Sequence, residues 1–537
     1  MAAFVLPDAL VGRSIIDLVA DQAARRPDAL ALTARSADGA EQRLSYGELL
    51  ARAQRLAAGL RHLGVTRGDH VGMMMNNEAG VEAAVTMLAL HRLGAVVVPV
   101  NTRFAADEIV YVVNKARLGL LIAMRDFWPL LQSLEPRLAG VRHVITVGGD
   151  AASAPADWQR IFDEAPARHE PWPSVPPDAM SEILFTSGTT AHPKGAVMTH
   201  GRSVISAYGF AEAMSLAETD VFQSFFPFFT TASLHCLLLP AWWAGAQAVL
   251  DPALDVPAII GRMERERTTK YIGAPAFYIF LLDHYDRSRH DLSTLTMFDY
   301  GGAAMPVEVI QRLAETFPHI ELRQTYGMTE SGPAGTVLKG EDGQAKLGSV
   351  GRPWPLTEVR VVDEAGAAVA AGTAGEIAIR SPSVMLEYYD EPVLTQKALQ
   401  DGWLLTGDIG YLDAEGFLYH VDRKKDMIIR GGHNIGSLEV EEALFRHPAI
   451  QDAAVIAVPH PKLGEDIHAF VVPRPGRTVD AGALQAFCRD KLADYKIPRR
   501  ITFTDALPRG PMGKVLKSDL RRLAAEQSHG STTNEAG

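Results

Sequence analysis

Helical patterns alternate along this chain with short runs that are apolar throughout, and this alternation constrains the fold more than any other feature. A helical pattern at about 78–93 ends at Gly94, and residues 95–100 form a continuous apolar run. A helix-like stretch at 106–116 then leads to a second apolar run at 118–123. Strands that are apolar on both faces occur in sheets covered by helices on both sides. The sequence therefore predicts an α/β fold.

The pattern changes towards the C-terminus. Alternation resumes between residues 201 and 301, whereas residues 348–421 contain short strand patterns separated by Gly and Asp turns. These short strands predict a small β-rich subdomain. Beyond about residue 422, helical patterns at 438–447 and 481–492 are interleaved with strand patterns. This last stretch, of about 115 residues, is long enough to be a domain of its own.

Composition and charge narrow the class of protein. The 537 residues are too many for one core, and 47% hydrophobic with 22% charged residues is typical of a globular protein. The net charge of −12 argues against a general nucleic-acid binder. Cys236 and Cys488 stand far apart, which predicts no disulfide framework or zinc site and suits a reducing cytosol. We expect both to be small buried side chains.

Residues 221–250 imitate a membrane span, because they contain no Lys, Arg, Asp or Glu. Pro227 and Pro240 interrupt the stretch, and polar residues dilute it. We therefore interpret it as a buried strand followed by a buried helix. The N-terminus has no basic region before an apolar core, so we predict no signal peptide and a cytoplasmic protein without a transmembrane segment.

Residues 186–195 read TSGTTAHPKG and lie between two apolar runs, which places them in a loop between strands. Glycines let the backbone approach a ligand, amide and hydroxyl groups donate to anions, and Lys194 supplies positive charge. The stretch therefore predicts a phosphate-binding loop, with a polar hairpin turn as the ordinary alternative. It is not a Walker A loop, because a strand and not a helix follows the lysine.

A second motif, QTYGMTE at 324–330, follows an apolar strand. Tyr326 offers a flat face for a purine, Thr329 a hydroxyl for a phosphate oxygen, and Glu330 a hard oxygen ligand for Mg²⁺. The start of a capped helix would explain Thr329 and Glu330 equally well.

Two further motifs carry charge. Asp408, within TGDIG at 406–410, precedes Arg423 by fifteen residues. A carboxylate accepts two vicinal hydroxyls well, and an arginine beside it can fix its orientation. A turn aspartate and a surface ion pair are the ordinary alternative. Lys514 closes the stretch PRGPMGK at 508–514, where a loop lysine is most often only solvated.

Together and in this order, the four motifs closely resemble those of the adenylate-forming superfamily, which includes acyl-CoA synthetases, firefly luciferase and nonribosomal-peptide adenylation domains. The resemblance covers about residues 15–522. It implies a large N-terminal domain of αβ-layered sheets with the small β-rich subdomain, and a smaller mobile α+β C-terminal domain. The boundaries are then 1–422 for the adenylation domain, 423–427 for a hinge and 428–537 for the mobile domain, with a disordered tail at 526–537.

The resemblance also implies a role for each motif, with ATP, Mg²⁺ and coenzyme A bound by the protein. Lys514, Glu330 and Thr186 are expected to be catalytic, Glu330 to bind Mg²⁺, and Lys425 to be the hinge. Residues expected to bind ATP or CoA are Thr186, Ser187, Gly188, Thr189, Thr190, Lys194, Gly302, Ala303, Gln324, Tyr326, Gly327, Thr329, Asp408, Arg423, Gly431 and Gly432.

The acyl pocket is expected where loops follow two strands of the large domain. Its expected walls are Phe228, Phe229, Thr230, Tyr300, Gly302, Ala303, Met328 and Gly332. They include no fixed cation, which favours an apolar or aromatic monocarboxylate over a diacid. Relatives that activate amino acids place an aspartate near Thr230, so an α-amino acid is not expected. At Ala191, Thr230 and Gly436 the chain departs from the common family pattern, which leaves the loop's flexibility, the pocket's shape and the CoA side open.

The predicted function is that of an AMP-forming acyl-CoA synthetase, which converts a carboxylate to acyl-AMP and then to acyl-CoA. Two alternatives remain open: an enzyme that loads a carrier-protein phosphopantetheine, and a nucleotide-regulated binding protein with a degenerate site. The intact charged residues of the motifs argue against the second. The predicted partners are small-molecule substrates and not nucleic acid, and a homodimer is left open.

Overall fold

The first third of the chain alternates helices with strands, as its pattern predicts. The computed structural model describes residues 4–149, 156–166, 171–172, 174–186, 192–343, 345–510 and 514–532. The elements of the first third are α1 (Ile15–Arg25), β1 (Leu30–Arg35), β2 (Glu41–Ser45), α2 (Tyr46–His62), β3 (His70–Met74), α3 (Gly80–Leu93), β4 (Val96–Pro99), α4 (Ala106–Lys115), β5 (Leu120–Met124), α5 (Trp128–Leu134) and β6 (His143–Val147).

Alternation continues through the middle of the chain. Its elements are α6 (Trp158–Asp163), β7 (Met180–Thr186), β8 (Lys194–Thr199), α7 (His200–Ala213), β9 (Val221–Ser224), α8 (Thr231–Ser233), α9 (Leu239–Ala244), β10 (Gln247–Leu250), α10 (Val256–Glu266), β11 (Lys270–Gly273), α11 (Pro275–His284), β12 (Met297–Gly301), α12 (Val307–Thr316), β13 (Glu321–Gly327), β14 (Gly335–Leu338), α13 (Gly340–Gly343) and β15 (Arg352–Pro353).

Helix ends in this part follow local sequence signals. The backbone N–H of Glu48 donates to Ser45 Oγ at 3.2 Å, and Glu48 Oε2 accepts from the Ser45 N–H at 2.8 Å. This capping box starts α2. Gly94 adopts φ +72° and ends α3, because the left-handed conformation suits glycine. The end of α3 at Gly94 lies where the sequence predicts it.

These elements build two large sheets. One has nine strands in the order β15-β14-β13-β12-β11-β9-β10-β1-β2, and the other has six in the order β6-β5-β3-β4-β7-β8. Pairing is parallel from β13 to β1 and from β6 to β7. Helix α3 contacts strands of both sheets, and all its residues except Arg92 are buried. The core therefore lies between the two sheets, and the predicted α/β fold is confirmed.

The segment that imitates a membrane span is buried inside this part. It contains β9, α8, α9 and β10, with a π-helical turn at Leu234–Leu238 between the two helices. The predicted buried strand and buried helix are present, but the helix is divided where one continuous element was expected. Among the described residues, no helix combines the length and apolarity that crossing a membrane requires.

A third sheet confirms the predicted β-rich subdomain. Its five strands run in the order β16-β17-β19-β18, with β20 paired to β19, and their pairing is antiparallel. The elements are β16 (Glu358–Val362), β17 (Gly375–Arg380), α14 (Pro392–Ala398), β18 (Leu399–Gln400), β19 (Trp403–Leu412) and β20 (Leu418–Arg423).

The last part of the chain has its own sheet and its own apolar core. Its elements are β21 (Ile428–Arg430), β22 (His433–Ile435), α15 (Ser437–Phe445), β23 (Ile450–His460), β24 (Gly464–Pro473), α16 (Ala481–Arg489), β25 (Arg500–Phe503) and α17 (Lys517–Thr532). Helix α17 enters the stretch 526–537 that the sequence assigned to a disordered tail. Residues 533–537 lie outside the described residues.

Candidate active site

The predicted phosphate loop connects β7 to β8, and its first residue contacts Glu330. Thr186 ends β7, and its hydroxyl donates to Glu330 Oε1 at 3.3 Å. Lys194 begins β8, with its Nζ 5.5 Å from the ring centroid of Tyr388. The loop residues Ser187, Gly188, Thr189, Thr190 and Ala191 lie outside the described residues.

The motif at 324–330 forms the end of β13 and the tight turn after it. Gln324 is buried in β13, and a Cβ on Gly327 would lie 2.1 Å from the carbonyl oxygen of Pro333, so no larger residue fits there. Thr329 begins the turn, and its hydroxyl lies 2.9 Å from that of Thr231 in α8. The turn places Glu330 at the carboxyl end of a mainly parallel sheet, which is where ligands bind in such folds.

Glu330 is buried and receives a second hydroxyl that sequence reasoning missed. The hydroxyl of Tyr388 donates to Glu330 Oε1 at 3.0 Å. Both donors therefore meet the same carboxylate oxygen. A buried carboxylate with hard oxygen atoms and few partners suits a divalent cation that arrives with a ligand of its own.

Asp408 and Arg423 face each other across the β19–β20 pair, which explains their separation along the chain. They are register partners, and Arg423 Nε lies 3.5 Å from Asp408 Oδ1. The Tyr326 hydroxyl donates to Asp408 Oδ2 at 2.8 Å, and His420 Nε2 lies 3.9 Å from Oδ1. No role for His420 was predicted from the sequence.

The environment keeps Asp408 ionised. Burial alone would raise the pKa of its carboxyl group, but His420, Arg423 and the Tyr326 hydroxyl together hold this pKa below its usual value. An ionised, fixed carboxylate is a good acceptor for a pair of sugar hydroxyls. The Tyr326 ring, expected to stack on a purine, is thus also an anchor for this carboxylate.

Lys514 from the last part of the chain reaches the same cleft. A Cβ on Gly302, in the exposed turn after β12, would lie 3.5 Å from Lys514 Cε. Although part of the residue is exposed to solvent, the surrounding protein lowers the pKa of Lys514 to about 8. The positive charge of Arg423 acts in the same direction, whereas Asp408 and Glu330 oppose it. Residues from three of the four motifs therefore lie close together around Lys514.

Contacts between the last part and the large sheets hold Lys514 there. The N–H of Val307, at the start of α12, donates to Glu442 Oε2 in α15 at 3.2 Å. Arg474 lies 3.5 Å from Glu308 Oε1. The expected hinge residue Lys425 is exposed, although desolvation by the surrounding protein lowers the pKa of its ammonium group. Gly431 and Gly432 form an exposed turn between β21 and β22, and among the described residues no contact joins them to the cleft.

The expected acyl-pocket residues divide into two groups. Phe228, Tyr300 and Gly332 are buried, and the first two belong to the main hydrophobic core. The partly or fully exposed members are Phe229, Thr230, Gly302, Ala303 and Met328. The Thr230 hydroxyl bonds locally, because it donates to the Pro227 carbonyl at 2.7 Å and caps α8. Two surface cavities of about 490 and 800 Å³ are lined by none of the expected site residues.

Comparisons with known proteins agree with this geometry. A model described as "AMP-binding enzyme" matches residues 19–389, and one described as "AMP-binding enzyme C-terminal domain" matches residues 439–514. Feruloyl-CoA synthase of Amycolatopsis sp is 35% identical over 89% of this chain and 94% of its own length. Long-chain-fatty-acid–CoA ligase of Bacillus subtilis is 32% identical over 97% of this chain and 96% of its own. The crystal structure of the anthranilate CoA ligase AuaEII in complex with anthranoyl-AMP superposes with a TM-score of 0.87, at 26% identity, over 97% of this chain and 99% of that one.

Proposed function

Because this chain belongs to the family of AMP-binding enzymes, we propose that the cleft around Glu330, Asp408 and Lys514 is its active site. The protein is an AMP-forming carboxylate–CoA ligase that uses ATP, Mg²⁺ and CoA. The observation that carries the proposed site is the position of Lys514, whose Cε lies against the Gly302 turn. Its pKa responds to charges on both Asp408 and Glu330. Residues from distant parts of the chain thus converge in one cleft.

The donor set at Glu330 fits Mg²⁺. The described residues contain no cluster of three or more His, Cys, Asp or Glu side chains able to hold a metal by themselves. Mg²⁺ usually binds through one or two carboxylates together with substrate phosphates. We therefore assign Glu330 as the protein ligand, and the bound ion would neutralise charge on the ATP phosphates there.

The remaining motif residues are assigned to the nucleotide. Asp408 accepts the two ribose hydroxyls, with Arg423 and Tyr326 holding its orientation. Thr186 and Lys194 hold the β- and γ-phosphates together with the loop residues Ser187, Gly188, Thr189 and Thr190. The boundaries proposed for the units are 1–422 and 428–537, with the hinge at 423–427.

The first step forms a mixed anhydride. A carboxylate oxygen of the acid attacks the α-phosphorus of ATP, the bond from that phosphorus to the bridging oxygen breaks, and pyrophosphate leaves with the electron pair. The acid is already ionised, so no general base is required, and the protein acts by positioning and by charge. Lys514 as a cation lies between the attacking carboxylate and the α-phosphate, while Lys194 steadies the leaving pyrophosphate.

The second step transfers the acyl group to sulfur. The CoA thiolate attacks the carbonyl carbon of acyl-AMP, and AMP leaves. We propose that rotation about Lys425 withdraws Lys514 and brings the Gly431–Gly432 turn to the cleft. These glycines have φ of +57° and +86°, and a Cβ on Gly432 would meet nothing within 4 Å, so the backbone is open to a pantetheine arm.

The substrate is an apolar or aromatic monocarboxylate. The expected walls that remain accessible, Phe229, Thr230, Gly302, Ala303 and Met328, carry no charge. A second carboxylate would be left unpaired there, which is unfavourable in a partly buried site. The names of the two curated relatives, a feruloyl-CoA synthase and a long-chain-fatty-acid–CoA ligase, agree with this class.

A substrate panel tests the proposed function. The protein is incubated with Mg·ATP and an aromatic acid, a medium-chain fatty acid or malonate, and pyrophosphate release is followed. AMP release is then compared with CoA and with a phosphopantetheinylated carrier protein as acceptor. We expect activity with the first two acids and with CoA. Preference for malonate would overturn the substrate class, and AMP release only with the carrier protein would favour the alternative acceptor.

The cellular location and the oligomeric state complete the proposal. Cys236 and Cys488 are free and buried, which supports the proposed cytoplasmic location. A homodimer stays a prediction, which sedimentation of the purified protein at several concentrations would test.

A further inference from the structure

The segment at 381–389, between β17 and α14, runs beside the strand that follows the phosphate loop. The N–H of Tyr389 donates to the Gly195 carbonyl at 2.7 Å, and the N–H of Leu386 donates to the Val197 carbonyl at 2.8 Å. In return, the N–H of Val197 donates to the carbonyl of Glu387 at 2.9 Å. The segment therefore extends the sheet at β8 and is joined to the strand that follows the phosphate loop.

The same segment is also fastened to the turn that carries Glu330. The N–H of Met385 donates to the Glu330 carbonyl at 2.8 Å, and the Ser383 hydroxyl donates to the Ser331 carbonyl at 3.0 Å. Two parts of the nucleotide site that are distant along the chain are thus joined through this one segment.

Tyr388 is the side chain of the segment that enters the site. It is buried, and its hydroxyl donates to Glu330 Oε1 at 3.0 Å, since an ionised carboxylate can only accept. The Nζ of Lys194 lies 5.5 Å from the centroid of its ring, within cation–π range. The N–H of Tyr388 donates to the Thr395 hydroxyl at 2.9 Å, which fixes the backbone at this residue.

The hydrogen bonds at Glu330 are directional. Tyr388 and Thr186 both donate to Oε1, and within the described part of the chain no hydrogen bond to Oε2 is found. Two donors on one oxygen set the rotation of the carboxyl group and direct the other oxygen away from them. A carboxylate fixed in this way presents one oxygen to a cation without having to reorient.

We propose that Tyr388 is a positioning residue for the first half-reaction, in which it orients the Glu330 carboxylate towards the nucleotide's divalent cation and supports Lys194 through its ring. This inference rests on the proposed function, because it takes Glu330 as the metal ligand. A hydroxyl group that hydrogen-bonds to a metal ligand strengthens metal binding, and its loss typically lowers the metal affinity about 10–100-fold.

Three single variants test the proposal: Tyr388→Phe, Tyr389→Phe and Glu330→Gln. Tyr389 is the matched control, because its ring lies edge-on to His70, with centroids 5.4 Å apart, and takes no part in the site. Binding of Mn²⁺ to the enzyme with a non-hydrolysable ATP analogue is measured by electron paramagnetic resonance. Binding of the analogue without metal, both half-reactions and the melting temperature are measured in parallel.

We expect Tyr388→Phe to weaken Mn²⁺ binding about tenfold and to slow adenylation, while thioester formation from preformed acyl-AMP and metal-free nucleotide binding stay within about twofold of the wild type. Tyr389→Phe should match the wild type in every measurement. If Tyr388→Phe binds Mn²⁺ normally, or loses both half-reactions together, the positioning role is overturned. If Glu330→Gln keeps Mn²⁺ affinity, the metal assignment in the proposed function fails instead.

Discussion

At the scale of single residues, Lys514 is the side chain on which the proposed chemistry depends most. We expect Lys514→Ala to slow adenylation by about 10²–10³-fold, because it removes a positive charge from the position where the α-phosphate gains charge. Thioester formation from preformed acyl-AMP should stay largely intact, since the proposed rotation withdraws Lys514 from the cleft before that step. Single-turnover assays of each half-reaction measure both effects.

The control for Lys514→Ala is Lys496→Ala in the same part of the chain. Lys496 pairs with Glu439 on the surface at 2.7 Å, and its removal should leave both half-reactions unchanged. Equal loss of both half-reactions in a folded Lys514→Ala protein would contradict the assigned role.

The protonation of Lys514 gives a prediction about pH. Desolvation by the surrounding protein lowers the pKa of the Lys514 ammonium group to about 8, so the cation is lost as the pH rises through that value. Because the cation is the active form, the rate of adenylation at subsaturating ATP should be constant well below this pKa and fall above it. In Lys514→Arg the fall should disappear, since arginine keeps its proton in this range. A fall with the same midpoint in that variant would assign the titration to another group.

Motif residues could be predicted from the sequence, whereas their supporting partners could not. Asp408 and Arg423 belong to short motifs, and the β19–β20 register then places them opposite each other. Tyr388 is placed by the pairing of its segment with β8, almost 200 residues earlier in the chain. His420 is placed by the same β19–β20 pairing as Asp408 and Arg423, but it belongs to neither motif. The only signal for Tyr388 in the chain is the pair of adjacent tyrosines at 388–389, which by itself fits an ordinary edge strand.

At the scale of elements, a buried polar cluster holds the π-helical turn at Leu234–Leu238. His235 Nε2 lies 3.0 Å from Glu182 Oε2 in β7, and its Nδ1 lies 3.1 Å from the hydroxyl of Ser206 in α7. Ser203 in α7 also donates to Glu182 Oε2, at 3.1 Å. Burial alone would raise the pKa of Glu182, but His235 holds it below its usual value. The charge of Glu182 therefore depends on its partners.

We expect His235→Ala to lower the free energy of unfolding by about 3–5 kcal/mol, because it leaves a buried carboxylate without its main partner. The measurement is the shift of the urea midpoint at unchanged slope, followed by tryptophan fluorescence. His319→Ala, at an exposed position, is the control and should change the free energy by less than about 0.5 kcal/mol. A loss in His235→Ala no larger than in the control would show that the cluster does not stabilise the fold.

This cluster explains why the sequence predicted the elements here only approximately. Apolar periodicity at 233–243 indicates one helix, and the periodicity says nothing about the extra residue that widens one turn. The π-helical turn accompanies the bonds of His235 to Glu182 and Ser206, and these partners lie outside the helix. At α17 the structure differs from the sequence prediction for another reason. The polar composition at 526–537 predicted a disordered tail, but a polar composition is also compatible with a helix, and α17 extends to Thr532.

At the scale of the whole molecule, composition and alternation predicted the fold class but not the arrangement of the strands. The nine-stranded sheet pairs β1 with β10, which follows it by more than 200 residues along the chain. Which strands become neighbours depends on how helices such as α3 pack between the two sheets. No local sequence pattern encodes this strand order. The boundaries between a large and a small unit were predicted from the resemblance to a known family. The sequence patterns alone predicted only that the last 115 residues or so could form a domain of their own.

The docking of the small unit leads to a last prediction. Glu442 accepts a hydrogen bond from the first residue of α12, and a carboxylate at a helix N-terminus also interacts favourably with the helix dipole. If rotation about Lys425 follows adenylation, this contact holds only the first arrangement. We therefore expect Glu442→Gln to slow adenylation about three- to tenfold, equivalent to a weakening of roughly 1 kcal/mol. Thioester formation from preformed acyl-AMP should be unchanged or faster, because the competing arrangement is less stable.

Glu439→Gln is the matched control for this docking contact, because Glu439 lies on the same helix and pairs with Lys496 of the same unit. Both half-reactions are measured under single-turnover conditions for the wild type and the two variants. Only Glu442→Gln should change the ratio of the two rates, since only its contact crosses between the units. Slowing of both half-reactions by the same factor would mean that the contact stabilises the protein as a whole, and that the two arrangements do not compete for it.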